Sequence, residues 1–359
     1  MHYRWDADAE QTASATPNNP LVIPAPEGKH ILCYYAVDTV GNRGADGFAE
    51  VKVDTTKPTG FVIINGGAIY TSTTAVTLNL SAYDNVSNIW QMNFSNDSWA
   101  TYSGWEDYNI TKDWTLTSGD GEKVVSVSYR NYAGLVSNYS AKIILDTTPP
   151  TGTITIESDA TYVTSLLVTL TLSASDTNGV AAMRFSNDGS TWSGWEAYNT
   201  STRWRLTAGD GIKTVYAQYE DNAGLISTAT ISDTVILDTL PPTGTISINS
   251  GDTYTTSTSV TLTLSAYDAN GINQMRFSNN GTTWSSWEAY ATSRSWSLTA
   301  GDGTKIVYAQ YKDNAGLVST ATIYDTIILD TTPPTSNITL PNEGAYFNTL
   351  PIQISGTCN

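Results

Sequence analysis

Cysteine and histidine are scarce in this chain of 359 residues, which has two of each. Cys33 and Cys358 are too few for a fold held together by disulfide bonds, and they cannot form a multi-thiolate metal cluster within one chain. His2 and His30 lie outside any repeated motif, which leaves little imidazole chemistry for catalysis. The chain is therefore predicted not to be an enzyme.

Basic residues are also few, with 17 Lys and Arg against 34 Asp and Glu, a net charge of −17 and an isoelectric point near 4.3. Binding a phosphate backbone requires clustered lysine and arginine, so this composition argues against nucleic acid and favours metal cations or surface polymers as partners. No run of 18 apolar residues occurs, which argues against membrane insertion. The first six residues lack the features of a secretion signal, so a natural start further upstream is expected.

What the sequence does contain is a long repeat. The segment Asp-Thr-Thr-Pro-Pro-Thr-Gly begins at Asp54, Asp146, Asp238 and Asp330, with single substitutions in three copies, and successive copies start 92 residues apart. A fixed long period indicates an array of one folded module. We predict complete modules at 54–145, 146–237 and 238–329, the back part of a module at 1–53 (strands C to G) and the front part at 330–359 (strands A and B).

The sequence of each module predicts a set of short β-strands. Val260–Asp268 alternates apolar and hydroxyl residues, which is typical of a half-buried strand, and the same alternation recurs 92 and 184 residues earlier. Turn signals separate these strands, and no segment shows helical periodicity. The predicted fold class is all-β, with tandem immunoglobulin-like (Ig-like) β-sandwich modules of about 92 residues and split half-modules at both ends.

Four motifs carry a family resemblance: Asp-Thr-Thr-Pro-Pro, Ser-Ala-x-Asp, Phe-Ser-Asn-Asp-Gly-x-x-Trp and Asp-Asn-Ala-Gly. In these motifs the whole chain resembles the tandem bacterial and archaeal Ig-like (Big-type) repeats of cell-surface proteins and adhesins. The resemblance implies a secreted, structural or adhesive role at the cell surface, and it brings no shared catalytic residues.

Aromatic residues cluster in every module, and two interpretations stay open. The rings could form a platform for sugars, which would make surface polysaccharide a partner. Alternatively they pack across strands and stabilise the fold, an interpretation favoured because the cluster recurs in all three modules. The candidate glycan face consists of Trp192, Trp195, Trp284 and Trp287.

Calcium is the one cofactor that the sequence suggests. In an Ig-like sandwich the B–C and F–G loops lie at the end where the chain enters, so acidic residues of these loops should approach the aspartate that opens the module. The candidate ligands are Asp146, Asp176 and Asp221 in one module and Asp238, Asp268 and Asp313 in the next. The competing interpretation is that these residues only close turns, and Asn131 in the first module favours it.

The two end pieces are complementary. Ile338, Leu340, Ile352 and Ile354 are predicted core residues of strands A and B, and Leu32, Tyr34 and Ala36 form the core face of strand F. Because neither half can bury its apolar face alone, we expect the tail of one copy to complete the head of the next, which generates a filament. A disulfide bond between Cys33 and Cys358 could lock this joint.

The sequence therefore predicts an extracellular structural protein that forms a surface filament or stalk by head-to-tail strand complementation. Pro-Pro at the junctions fixes backbone angles and makes the array stiff. Three alternatives stay open: an adhesin or carbohydrate-binding array, a set of accessory modules of a secreted hydrolase, and a segment of a longer surface protein in which neighbouring modules continue the polypeptide.

Overall fold

The computed structural model describes residues 1–6, 11–12, 25–340, 344–348 and 350–358, with the backbone alone at 11–12, 338–340 and 358. Strands dominate this part of the chain, and it contains no α-helix, only two 3-10 turns at Asn65–Gly67 and Asn249–Gly251. The predicted all-β class with tandem Ig-like sandwiches is confirmed, because three successive pairs of sheets share one topology.

Each repeat unit has a three-stranded and a five-stranded sheet. In the first unit the sheets are β10-β7-β5 and β6-β12-β11-β8-β9. Their strands are β5 (Thr59–Ile64), β6 (Tyr70–Thr71), β7 (Ala75–Tyr83), β8 (Ile89–Ser95), β9 (Glu106–Asp107), β10 (Thr111–Thr115), β11 (Gly121–Asn131) and β12 (Val136–Leu145).

The middle and third units repeat this arrangement. The middle unit has β13 (Thr151–Ile156), β14 (Tyr162–Val163), β15 (Leu167–Ser175), β16 (Val180–Ser186), β17 (Glu196–Ala197), β18 (Ser201–Arg205), β19 (Gly211–Asp221) and β20 (Ile231–Leu237). The third unit has β21 (Thr243–Ile248), β22 (Tyr254–Thr255), β23 (Ser259–Tyr267), β24 (Ile272–Ser278), β25 (Glu288–Ala289), β26 (Ser293–Ser297), β27 (Gly303–Asp313) and β28 (Ile323–Leu329).

The core of each unit lies between its two sheets. On β23 the side chains of Val260, Leu262 and Leu264 are buried, while the intervening Ser and Thr residues are exposed. Side chains alternate between the faces of a strand, so the apolar half of each pattern faces the opposite sheet. Phe277 and Tyr311 of the five-stranded sheet belong to the same buried cluster.

The glycine of the repeated motif has a specific packing role. A Cβ atom on Gly152 would lie 2.5 Å from Cε2 of Tyr219 and 2.7 Å from the carbonyl oxygen of Ser173. The Tyr219 ring therefore rests directly on the backbone of β13, and its hydroxyl donates to Thr153 O at 2.7 Å. Gly60 with Tyr129 and Gly244 with Tyr311 repeat this contact, so the motif requires glycine because the ring occupies the place of a side chain.

The end pieces are single sheets in the described part of the chain. At the start, β1 (His2–Trp5), β2 (Gln11–Thr12), β3 (Gly28–Tyr35) and β4 (Gly47–Val53) form one sheet in the order β2-β1-β3-β4. At the end, β29 (Ser336–Leu340) pairs antiparallel with β30 (Ser355–Cys358).

The tail strand is shorter than the repeat predicts. Ile352 and Ile354 are predicted core residues of the sandwich that head and tail form together, and in the single chain β30 begins at Ser355 and both isoleucines are exposed. The physical reason is that a two-stranded hairpin without a facing sheet has no interior in which to bury them. The side chains of Ile338, Leu340 and Cys358, which were also predicted to act in assembly, lie outside the described part of the structure.

Candidate functional site

Two clusters of aspartates lie where one unit follows another. Asp146 directly follows β12, Asp176 follows β15 and Asp221 ends β19. One carboxylate oxygen of each residue lies within 4.8 Å of the other two. Three segments far apart in sequence therefore bring their carboxylates together, as the sequence analysis expected for calcium.

One oxygen of each carboxylate in this first cluster is held by local backbone N–H groups. Asp221 Oδ1 accepts from Ala223 N at 2.8 Å and Leu225 N at 2.9 Å, and Asp176 Oδ1 accepts from Asn178 N at 2.7 Å. These bonds are the turn-closing role that was the competing interpretation. They account for only part of the cluster, because Oδ2 of Asp146 and of Asp221 is buried without a hydrogen-bond partner.

The second cluster reproduces the first. Oxygens of Asp238, Asp268 and Asp313 also lie within 4.8 Å of one another. Asp268 Oδ1 accepts from Asn270 N at 2.7 Å and Asp313 Oδ1 accepts from Leu317 N at 2.8 Å. Again Oδ2 of Asp238 and of Asp313 is buried and unpartnered.

The electrostatics of the clusters disfavour three ionised carboxylates on their own. Burial raises the pKa of Asp221, and the neighbouring charges of Asp146 and Asp176 raise it further. Burial and the charges of Asp238 and Asp268 raise the pKa of Asp313 in the same way. Each cluster therefore concentrates negative charge that nothing in the described residues neutralises.

The first unit has a different arrangement at the same place. Asn131 replaces the third aspartate, and its Nδ2 donates to Asp54 Oδ2 at 2.8 Å, to Asp84 Oδ2 at 3.1 Å and to Thr56 O at 3.2 Å. Burial opposes ionisation of Asp84, but hydrogen bonds from Ser87 N, Val86 N and Asn131 outweigh it and lower its pKa. An amide thus satisfies the carboxylates that are left unpartnered in the other two units.

A further carboxylate fixes the chain as it leaves each unit. Asp302 Oδ1 accepts from Thr331 N at 2.8 Å and from Thr331 Oγ1 at 2.7 Å, and its Oδ2 accepts from Thr332 Oγ1 at 2.6 Å. Asp120 binds Thr147 and Thr148 in the same way. The Thr-Thr of the repeated motif therefore anchors the connection to the preceding sandwich.

The Asp302 contacts predict a pH dependence. Hydrogen bonds from Thr332 and Thr331 lower the pKa of Asp302 to about 2. A carboxyl whose pKa is depressed by folding stabilises the folded state above its unfolded pKa of about 4, and the contribution is lost as the pH falls from there through its folded value. We expect the stability difference between the wild type and Asp302→Asn to shrink between pH 4 and pH 2, as measured by thermal unfolding. Parallel curves over this range would contradict the prediction.

The tryptophans proposed as a glycan face pack against arginine. The guanidinium carbon of Arg184 lies 5.2 Å from the ring centroid of Trp192 and 4.4 Å from that of Trp195. Arg276 lies 5.0 and 4.4 Å from Trp284 and Trp287. Cation–π contacts of this kind stabilise the sheet surface, and each places a guanidinium over one face of the ring.

In the first unit this stack includes Trp90, which is not part of the aromatic cluster predicted from the sequence. Arg130 lies 4.6 Å from the ring centroid of Trp90 and 4.3 Å from that of Trp105. In the later units the arginine lies on β16 or β24, whereas Arg130 of the first unit lies on β11 and has Trp90 as one of its two partners. The signal that could have found it is Trp90 itself, which has no counterpart in the other modules.

The described residues include no helix that is long and apolar enough to cross a bilayer. No protein-family model and no curated protein matches the sequence. Solved structures with similarity include fibronectin(III)-like modules of CbhA from Clostridium thermocellum, at 15% identity and a TM-score of 0.33, covering 49% of this chain and 92% of that one.

A tetra-tandem repeat from the extending region of a large adhesion protein is 18% identical with a TM-score of 0.28, covering 85% of this chain and 82% of that one. The FN1–FN3 domains of chicken CNTN1 are 13% identical with a TM-score of 0.33, covering 76% and 98% of the two chains. At such low identities and TM-scores these structures carry nothing about the ligand or activity of this chain.

Proposed function

We propose that this chain is an extracellular structural protein whose copies join head to tail into a stiff filament or stalk at the cell surface. Its role in this proposal is mechanical: the sandwich units give length, the anchored Pro-Pro junctions give stiffness, and the end pieces join one copy to the next. The sheets at the two ends of the chain provide the argument.

The sheet at the start of the chain has an open face. Strand β3 matches β19 of the middle unit, with Gly28 at the position of Gly211 and the Asp38 turn at that of Asp221. Tyr34 and Ala36 then occupy the positions of Ala217 and Tyr219. Tyr219 is 0% exposed, whereas Tyr34 is 37% exposed and Ala36 is also exposed, because no second sheet covers them in the described residues.

The two strands of the hairpin at the end of the chain pair in the same register as the first two strands of the three-stranded sheet in a complete unit. Ser336 pairs with Cys358 and Asn337 with Thr357. In the middle unit, Gly152 pairs with Ala174 and Thr153 with Ser173, which are the same positions two repeats earlier. The tail therefore supplies the first two strands of the three-stranded sheet that is absent from the described residues of the head.

The observation that carries the proposal is a paired substitution between head and tail. In complete units a tyrosine ring rests on the motif glycine, as Tyr219 does on Gly152. The tail has Ser336 instead of that glycine, and its side chain would collide with such a ring. The head has Ala36 instead of that tyrosine, which removes the ring. The two changes compensate each other only if the tail packs on the head.

A second pair of substitutions also exchanges side-chain volume between head and tail, and here the larger residue is in the head. Tyr34 places a phenol ring where the middle unit has Ala217, and Gly356 leaves space where it has Leu172. Well-packed interiors tolerate substitutions that conserve total volume. A large residue in the head and a small residue in the tail therefore favour packing of these two pieces against each other.

A second copy is the proposed occupant of the open face. Strands of about ten residues are roughly 33 Å long, so three stiff units would separate the two ends of one chain widely. Association of head with tail then occurs between chains, and a heterologous contact that does not close generates a linear assembly.

The predicted disulfide between Cys33 and Cys358 is not part of this proposal. Cys33 pairs with Phe48 of β4 and lies on the face of β3 opposite to Leu32 and Tyr34. In the assembled sandwich that face would point away from the tail, so packing alone joins the copies.

The paired substitution gives a direct test. Ala36→Tyr should restore the ring that collides with Ser336 and weaken association about 10- to 100-fold, since overpacking costs about 1–3 kcal/mol. Adding Ser336→Gly should recover it, because the pair then has the combination found in complete units. Association is measured by sedimentation velocity of the full chain.

Ile31→Tyr serves as the control, because Ile31 is 48% exposed and shares with Cys33 the face of β3 that points away from the tail, so a ring added there should leave association unchanged. Circular dichroism checks that each variant folds. Equal association of the wild type and Ala36→Tyr, or a wild type that remains monomeric at every concentration, would refute the proposal.

A polysaccharide-binding face is the weaker candidate. The four tryptophans on which it depends pack against Arg184 and Arg276. A glycan array on which the wild type binds and Trp284→Ala/Trp287→Ala does not would favour this role over a purely mechanical one.

A further inference from the structure

We propose that the two aspartate clusters each bind one calcium ion, whereas the first unit uses the Asn131 amide in place of the ion. Asp146, Asp176 and Asp221 hold one calcium, and Asp238, Asp268 and Asp313 hold the other. Two of the three complete units then depend on calcium at their entry, and one does not.

Buried carboxylate oxygens in both clusters lack a hydrogen-bond partner. Asp146, Asp221, Asp238 and Asp313 are at most 2% exposed, and Oδ2 of each has no hydrogen bond. Burying a polar atom without a partner is costly, and burying a charge is more so. Four such atoms in two equivalent places indicate a missing positive partner rather than a local defect.

The first unit shows independently where such a partner would lie. The Asn131 amide donates to two carboxylates and a backbone carbonyl that converge on one point. In the other units this amide is replaced by the carboxylates of Asp221 and Asp313, which cannot donate when ionised. The point that Nδ2 occupies in the first unit is therefore where the middle and third units need a cation.

The ligand chemistry points to calcium. Each cluster offers only oxygen atoms, from three carboxylates on separate segments, and neither contains a histidine or cysteine of the kind that zinc prefers. Calcium binds oxygens at about 2.4 Å, so two ligands on opposite sides of the ion are at most about 4.8 Å apart, which matches the clusters. Its irregular coordination also suits ligands from three different loops.

A shared proton is the competing way to neutralise the clusters. One proton could join the two unpartnered oxygens of a cluster, such as Oδ2 of Asp146 and of Asp221, but it would not contact the partly exposed third aspartate, Asp176 or Asp268. A divalent ion contacts all three at once. The two explanations also predict different conditions for stability. A calcium site is stabilised by added calcium, and a shared proton is stabilised by a lower pH.

A bound ion would brace the junctions mechanically. The backbone N–H of Asp146 donates to Thr71 O of the preceding unit at 3.0 Å, while its carboxylate faces Asp176 and Asp221 of the following unit. Asp238 N donates to Val163 O at 2.9 Å in the same manner. Calcium would thus tie the last strand of one sandwich to two loops of the next.

The experiment counts ions in three forms of the full chain by equilibrium dialysis at millimolar calcium. The wild type should bind two ions, Asp221→Asn/Asp313→Asn should bind none, and Asn131→Asp should bind three. Each variant exchanges one natural arrangement of this chain for the other, so it is expected to fold. Affinities on the order of 10⁻⁴–10⁻³ M are expected for extracellular modules.

Differential scanning calorimetry in calcium and in EGTA gives a second readout. The melting temperature of the wild type should fall in EGTA, that of Asp221→Asn/Asp313→Asn should not respond, and Asn131→Asp should become more sensitive than the wild type. Equal calcium binding in all three forms would mean nonspecific binding to the acidic surface and overturn the proposal. Identical melting with and without calcium would also overturn it, and so would stability that is restored by acid alone.

These outcomes do not depend on head-to-tail assembly, because every ligand of a cluster comes from one chain. A chain that binds two calcium ions as a monomer supports the sites and refutes the filament. A chain that forms fibres without binding calcium supports the filament and refutes the calcium sites.

Discussion

Replacing Gly152 by alanine is expected to destabilise the middle unit by about 3 kcal/mol, at the upper end of the usual cost of overpacking. The new Cβ would lie 2.5 Å from the Tyr219 ring and 2.7 Å from the carbonyl oxygen of Ser173. One of these neighbours is backbone and the other is a ring buried in the core, so neither can move without disturbing the two sheets. Amide hydrogen exchange of the middle unit measures the loss.

Gly194 provides a matched control in the same unit. Nothing lies within 4 Å of the place where its Cβ would be built, so Gly194→Ala should change stability by no more than about 0.5 kcal/mol. Combining Gly152→Ala with Tyr219→Ala should cost less than the sum of the two changes, because the second removes one of the two groups that the new Cβ would meet. Additive costs would mean that the ring does not rest on the glycine.

Leu170→Ala should lower the stability of the same unit by about 3 kcal/mol, through lost apolar burial and the cavity left behind. Leu170 lies at the centre of β15, is 0% exposed and belongs to the core cluster with Phe185 and Tyr219. Hydrogen exchange in β15 and in the facing strand β19 should accelerate together, because both depend on this core.

Leu167 is the comparison residue on the same strand. It is 45% exposed, so Leu167→Ala should cost less than about 1 kcal/mol. The same type of substitution three residues apart then separates the buried from the open face of one strand. Similar losses for the two variants would contradict the proposed orientation of β15.

Much of this fold could be predicted from the sequence because strand alternation is a local signal. Val260, Leu262 and Leu264 determine which face of β23 is buried, and turn residues mark its ends. Two-residue strands could not be foreseen. Tyr162–Val163 pairs parallel with Ile236–Leu237, but two residues are too short for any periodicity, and their pairing depends on the rest of the sheet.

The two strands of the tail could be predicted from the repeat, but the length of the second strand could not. The repeat places Ile352 and Ile354 on a strand, yet that strand begins later, at Ser355. Periodicity describes what a segment can do when a partner covers it. The length of the strands in an isolated hairpin also depends on whether another sheet packs against it. The local sequence does not contain that information.

The aspartate clusters show the same limit. Their proximity could be predicted from the order of loops in an Ig-like sandwich, and the turn hydrogen bonds of Asp221 could be predicted from the Asp-Asn-Ala-Gly motif. The second oxygen of each carboxylate could not be judged, because its burial arises where two units meet. Asn131 was an argument against calcium in the sequence, whereas its contacts in the structure identify the point that an ion would occupy.

Electron microscopy of the purified full chain in calcium tests the central claim, that head and tail of successive copies form one sandwich. We expect long unbranched fibres whose axial repeat is four sandwich units, three from one chain and one shared with the next. Separate particles of three units with two uncovered ends, at every protein concentration, would contradict it.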